Sequence, residues 1–300
     1  MAYFWIVATV IASAAQTARN AMQSTLTASI GTIGAAQVRF LYGFPFSLVF
    51  LLGTVLVTGE NVPAAHPVFV TYAASGAVLQ IIGTVLMLAA MRLRSFAVAT
   101  AYLKTEPVLV ALAGVLVLGE HLETEAWLAI VIATLGVLVL TWKKPVQGDA
   151  AGGQWASALY GIGAGGCFAL AAVLFRGGIL ALGEAPFYVR ATTMLCWSLG
   201  IQSLILMAYM LFFDRPAFVG SLRVWRHSLF AGFMGALASQ FWFIGFSLSS
   251  AANVRTLALV EVVMAQIVSR GLFKQAVARR DLLGMALVVG GVGWLLLLHH

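Results

Sequence analysis

Residues 143–154 read KKPVQGDAAGGQ and form the longest polar interruption in this chain. Two lysines, one proline and three glycines within twelve residues are typical of a linker. The interruption lies at the middle of the 300 residues and leaves five long apolar stretches on either side. We therefore predict two five-helix units, 1–142 and 155–298, joined by a linker at 143–154.

The composition excludes a water-soluble protein. Hydrophobic residues make up 62% of the chain and charged residues only 9%, with a mean hydropathy of +0.99, whereas soluble domains carry about 25% charged residues. The apolar runs are continuous and near the length of about 20 residues that crosses a bilayer as a helix. This pattern predicts an all-α polytopic membrane protein with ten transmembrane helices. We place them near 3–20, 35–57, 67–91, 95–118, 124–142, 155–175, 186–213, 226–248, 250–273 and 281–298.

The two halves contain matching residues, which indicates an internal repeat. A shift of 155 places Glu106 on Glu261, and these two are the acidic residues deepest within predicted helices. Shifts of 157 and 151 place Arg19 on Arg176 and Arg39 on Arg190. Because five helices is an odd number, the second repeat must cross the membrane in the opposite sense. This predicts an inverted repeat, the arrangement that many secondary transporters build around a midplane site.

Four charges lie near the centre of predicted helices, where each costs about 2.5–3.5 kcal/mol to insert. They are Lys104, Glu106, Arg255 and Glu261. One interpretation is a polar solute site in which either glutamate also takes up and releases a proton, coupling transport to a proton gradient. The other is a pair of structural ion bridges, for example Lys104 with Glu261 and Arg255 with Glu106. The two interpretations are compatible.

Four further arginines lie one or two turns from predicted helix ends. Arg19 with Arg39 and Arg176 with Arg190 either snorkel to lipid headgroups or flank the two mouths of a cavity, where they would attract carboxylate or phosphate. Neutral candidates for substrate binding are Gln80, Tyr102, Trp242 and Asn253. Basic residues outnumber acidic ones within the apolar segments, which favours an anionic or zwitterionic solute.

Several chemistries are not expected. The sequence contains no His-Glu-x-x-His motif, no Gly-x-Ser-x-Gly motif and no P-loop. We therefore expect no metal, no cofactor and no enzymatic activity. The net charge of +7 is concentrated beside apolar segments, so the expected partners are the lipid bilayer and a small-molecule solute, and no nucleic acid.

The run PVLVAL at 107–112, followed by LGE at 118–120 and the segment 129–138, resembles the EamA-type repeat of the drug/metabolite transporter superfamily. The second half resembles it through Arg190, DLLG at 281–284 and Gly291. The resemblance implies a ten-helix carrier that moves small organic metabolites by alternating access, with carriers of phosphorylated metabolites among its relatives. Lys104 and Glu106 depart from the small or apolar residues usual before the proline. A structural or assembly role for the buried charges remains the alternative.

Two arguments predict opposite orientations of the chain in the membrane. One set of loops holds most of the basic residues, which are Arg92, Arg94, Lys143, Lys144, Arg215, Arg223, Arg226, Lys274, Arg279 and Arg280. The positive-inside bias makes that side cytoplasmic and leaves both termini outside, whereas the family resemblance implies cytoplasmic termini. We follow the charge count. The expected location is the inner (plasma) membrane of a bacterium.

Overall fold

The computed structural model describes residues 3–93, 103–141, 151–263 and 279–298. All the regular structure in these ranges is helical, as the continuous apolar runs predict. The helices are α1 (Phe4–Leu41), α2 (Gly43–Thr58), α3 (Pro67–Leu93), α4 (Glu106–Leu118), α5 (Thr124–Thr141), α6 (Ala151–Ala181), α7 (Phe187–Phe213), α8 (Arg215–Arg223), α9 (Trp225–Leu248), α10 (Ala251–Leu257) and α11 (Arg279–Leu297).

Five helical segments of the described chain are long and apolar enough to cross a membrane by length and composition. They are Ile30–Thr58, Pro67–Leu93, Ala156–Ala181, Phe187–Phe213 and Ser228–Leu248, and three shorter apolar helices are Glu106–Leu118, Thr124–Leu140 and Leu282–Leu297. The exposed apolar side chains of these helices, such as Leu56, Leu116 and Phe212, are compatible with lipid contact. The protein is therefore an all-helical membrane protein. Part of the predicted fourth span (residues 95–102) and of the ninth (264–273) lies outside the described residues.

The beginning of the chain differs from the prediction. We predicted that the first span ends near residue 20, but α1 continues to Leu41. Only Gly31 departs from helical geometry within it, with φ of 73° and ψ of 175°. Positive φ is accessible to glycine at little cost, so Gly31 bends the chain between two helical segments. Helix α6 also begins earlier than predicted, at Ala151 instead of residue 155.

Three helix pairs form the main contacts of the bundle: α1 with α9, α3 with α6, and α5 with α11. Small residues permit these close contacts. A Cβ atom on Gly136 of α5 would lie 2.7 Å from the backbone nitrogen of Val288, and one on Gly291 of α11 would lie 2.6 Å from that of Ala133. A Cβ on Gly76 of α3 would lie 2.8 Å from the ring of Phe175. Each pair joins a helix of the first half to one of the second.

Candidate functional site

Two helical segments are interrupted beside the four central charges. In the first half, a turn at Lys104 and Thr105 precedes α4, and Pro107 is the second residue of that helix. Proline lacks the backbone N–H that would continue the helical hydrogen bonding, so Pro107 is compatible with the helix break that precedes it. The carbonyl oxygen of Leu103, before the turn, faces Gly165 of α6, where a Cβ would lie 3.7 Å from it.

The second interruption occurs without a proline. Helix α10 ends at Leu257, and a turn follows at Ala258 and Leu259. The backbone N–H of Leu259 donates to Thr256 O at 3.0 Å and that of Glu261 to Ala258 O at 3.1 Å, which are the shorter-range bonds of a 3₁₀ turn. A shift of 154 residues places the turn at Lys104 and Thr105 on the turn at Ala258 and Leu259, so each half of the chain carries a helix break at a matching position in sequence.

The central charges form two ion pairs. Lys104 Nζ pairs with Glu261 Oε1, and Arg255 Nε lies 3.1 Å from Glu106 Oε1. The contact between Arg255 Nε and Glu106 Oε1 is an ion pair in which these two atoms are not hydrogen-bonded to each other. Each pair links one half of the chain to the other. The pairing expected from the sequence as the structural alternative is therefore confirmed.

Aromatic and polar side chains surround these pairs. The guanidinium of Arg255 lies 4.2 Å from the centroid of the Trp242 ring, a cation–π contact. The indole N–H of Trp242 donates to Gln16 Oε1 at 3.0 Å, and the Thr17 hydroxyl donates to Glu261 at 3.4 Å. A narrow cleft with room only for water-sized groups lies here, lined by Gln16, Leu103, Lys104, Glu106, Pro107, Arg255, Ala258, Leu259 and Glu261.

Arg19 and Arg39 lie in the protein interior, with 2% and 3% of their surface exposed, so neither snorkels. Both contact Gly235 of α9, where a Cβ would lie 3.3 Å from Arg19 Cδ and 3.3 Å from Arg39 Cγ. Arg19 donates to Asn20 Oδ1 at 2.8 and 3.2 Å, and Arg39 donates to Thr84 Oγ1 at 3.1 Å. Among the described residues, neither arginine forms an ion pair with a carboxylate.

The equivalent arginines of the second half have different surroundings. Arg176 forms an ion pair with Glu120, at the end of α4, and donates to the carbonyls of Phe246 and Ser249 at the end of α9. Sequence analysis missed Glu120 as a partner, although it is the glutamate of the LGE motif. Arg190, in the first turn of α7, is partly buried and does not accompany Arg176 in this cluster.

The neutral candidates divide between the site and its surroundings. Trp242 contacts the central charges directly. Gln80 accepts a hydrogen bond from Gln202 at 2.7 Å, away from the lining of the cleft. The backbone N–H of Asn253 is capped by Ser250 Oγ at 3.2 Å, and its side-chain amide donates to Ser249 Oγ at 3.3 Å. Tyr102 lies outside the described residues.

No group of three or more histidine, cysteine or acidic side chains capable of holding a metal occurs within the described ranges. The family model described as "EamA-like transporter family" matches residues 1–142 and 156–297. No curated protein matches the chain. One solved structure, described only as a crystal structure of a protein, superposes with a TM-score of 0.66 and 19% sequence identity. The match covers 97% of this chain and 99% of that one, and at this identity it shows similarity of fold alone.

Proposed function

Since this chain belongs to the EamA-like transporter family, whose membership implies a membrane transporter of small solutes, we propose that it is a secondary transporter of a small zwitterionic or anionic organic metabolite. An amino acid or an organic acid fits this description. The protein catalyses no reaction and works by alternating access in the inner membrane of a bacterium. Its ten membrane spans form two inverted five-helix repeats.

One observation carries this proposal: both central ion pairs link the two halves at equivalent helix breaks. A carboxylate on a solute can replace Glu106 beside Arg255, and an ammonium group can replace Lys104 beside Glu261. The solute then exchanges with existing ion pairs, and Glu106 and Lys104 are displaced from their partners. Exchange also explains how a cleft with room only for water-sized groups admits a solute, because the paired side chains must separate first.

The pattern of helix contacts supports the repeat. In the proposed repeat, the helices α1, α2, α3, α4 and α5 correspond to α6, α7, α9, α10 and α11. Replacing each helix by its counterpart turns the pair α1–α9 into the pair α6–α3, and both pairs are present. The same exchange leaves the pairs α2–α7, α4–α10 and α5–α11 unchanged, and these helices are also in contact. The odd number of spans in each half supports the inverted sense.

A second contact supports closure of one end of the site. Glu120 and Arg176 join the end of α4 to α6, at a point fourteen residues after Glu106, or roughly 20 Å along a helix. Arg176 also binds the last carbonyls of α9. Rocking one half against the other must break this cluster to open that end of the bundle.

Transport by purified protein in proteoliposomes tests the proposal. Glu106→Gln and Glu261→Gln remove the charge of each central carboxylate with little change of shape, and each is expected to abolish uptake or uncouple it from a proton gradient. Glu123→Gln is the matched control, because Glu123 is exposed and lies before α5. Wild-type transport by both central variants at normal folded yield would refute their role.

A structural or assembly membrane protein is the second candidate, favoured by the mutual pairing of all four central charges. It predicts that exchanging the partners, with Lys104→Glu and Glu261→Lys together, restores stability completely and that no solute changes the melting temperature. The transporter predicts that the exchanged pair restores stability without restoring transport, since a solute meets the charges in reversed positions.

A further inference from the structure

Among the described residues, the cluster around the central ion pairs carries two more positive charges than negative ones. Arg19, Arg39, Lys104 and Arg255 are basic, whereas Glu106 and Glu261 are the acidic residues paired among them. Arg19 interacts electrostatically with Arg255 and Glu261, and Arg39 interacts with Arg19 and Arg255, so these groups form one cluster. With both glutamates paired to Lys104 and Arg255, the charges of Arg19 and Arg39 stay uncompensated within the described residues.

The two arginines also retain unused hydrogen-bond donors. Arg19 Nη1 and Arg39 Nε are buried and have no acceptor among the described residues. Both arginine side chains pack against Gly235 of α9. Because glycine has no side chain, the two arginines can lie close to this helix. Buried donors without partners are rare in folded proteins, and a buried unpaired guanidinium is costlier still.

Charge and geometry together identify a ligand class. Arginine binds carboxylate and phosphate oxygens through two parallel N–H groups, and a ligand with two negative charges would neutralise the excess of two. Resting on the transport function proposed above, we propose that Arg19 and Arg39 bind one anionic group of a small organic dianion. In a dicarboxylate the second anionic group binds Arg255 or Lys104 in the central cleft, whereas a phosphate ester carries both negative charges on the one group that Arg19 and Arg39 bind. The substrate is then a dicarboxylate or a phosphorylated metabolite.

Thermal unfolding of the purified protein tests this assignment. At least one of succinate and glycerol 3-phosphate is expected to raise the melting temperature, whereas butyrate, alanine and inorganic sulfate are not. A response to succinate alone identifies a dicarboxylate, and a response to glycerol 3-phosphate alone identifies a phosphate ester. Equal shifts with succinate and butyrate would overturn the proposal, and so would an equal shift with sulfate, which would indicate a site for any oxyanion.

Substitution of the arginines adds an unusual expectation. Arg19→Gln and Arg39→Gln should abolish the response to the dianion, yet raise the melting temperature of the ligand-free protein by about 2–4 °C, because a buried unpaired charge is removed. Arg226→Gln, on an exposed side chain of α9, should change neither value. Arg19→Lys keeps the charge but loses the paired N–H groups, so it should weaken dianion binding about tenfold. An undiminished response in both Gln variants would overturn the proposal.

Uptake measurements separate this inference from the function on which it rests. Transport of alanine, with no transport or binding of any dianion, would overturn the dianion assignment and leave the transporter intact. Failure to bind or transport any member of the panel would overturn both.

Discussion

Replacing Glu106 with glutamine removes the carboxylate that neutralises Arg255. The two groups lie 3.1 Å apart, and the side chains of Arg255 and Glu106 are 10% and 13% exposed, respectively. At an effective dielectric constant of about 20, two unit charges at this distance attract by about 5 kcal/mol. Part of this attraction offsets the cost of burying both charges. Because the variant keeps Arg255 against Trp242 without its counter-charge, we expect a loss of roughly 3–5 kcal/mol in the free energy of unfolding.

A double-mutant cycle separates the ion pair from the desolvation of each group. Arg255→Gln alone leaves Glu106 buried and unpaired, and should cost a similar amount. The double variant with both substitutions buries no charge at this position. It should therefore lose much less than the sum, giving a coupling of about 2–4 kcal/mol between the two sites. The measurement is equilibrium unfolding in detergent micelles, and Glu123→Gln should stay within about 0.5 kcal/mol of wild type.

Additive effects would refute this reasoning. A coupling below about 0.5 kcal/mol would mean that the two residues do not interact, and that the site is well solvated in the membrane protein. Transport by the double variant provides a second test. If this variant folds as well as wild type and still carries solute, the ion pair serves only to hold the helices together.

Three further predictions concern the helix contacts and the surrounding side chains. Gly291→Leu places side-chain atoms against the α5 backbone and should cost about 1–3 kcal/mol in unfolding free energy, whereas Gly290→Leu, with nothing within 4 Å, should be tolerated. Trp242→Phe keeps a ring below Arg255 but removes the donor to Gln16, so a thermal melt should show a loss of about 1 kcal/mol. Glu120→Gln weakens the pair with Arg176, and solute exchange across proteoliposomes should accelerate by about tenfold.

The central pairs could be predicted from sequence because burial leaves few options. Lys104 and Glu261 lie deep in apolar segments, and a charge there needs a partner. The match of Glu106 to Glu261 under a shift of 155 placed both acids at one depth in two halves. Together these constraints indicate charge pairing between the two halves, with Lys104–Glu261 and Arg255–Glu106 as one example, without any knowledge of helix packing. The helix break after Leu257 could not be predicted in the same way, because no proline or glycine accompanies it.

The burial of Arg19 and Arg39 depends on contacts between helices that the sequence alone does not predict. Both are one or two turns from the predicted helix ends, which is where arginine can reach headgroups. The true helix continues to Leu41, so Arg19 is far from either end of it. Its burial depends on Gly235, which lies more than two hundred residues away in sequence. A polar stretch such as residues 16–32 predicts a loop in water, but inside a bundle a helix satisfies its own backbone groups and can direct polar side chains inward.

The three ion pairs given by the described residues share a property that connects stability to function. Lys104–Glu261, Arg255–Glu106 and Arg176–Glu120 each join the first half of the chain to the second. Apolar helix contacts tolerate small changes of angle, whereas an ion pair needs its two charged groups within about 4 Å of each other. In the alternating-access mechanism proposed above, rocking of the halves would therefore require discrete exchange of these pairs. The proposal then predicts that a solute supplying replacement charges lowers the cost of that exchange, and that the protein without bound solute stays closed.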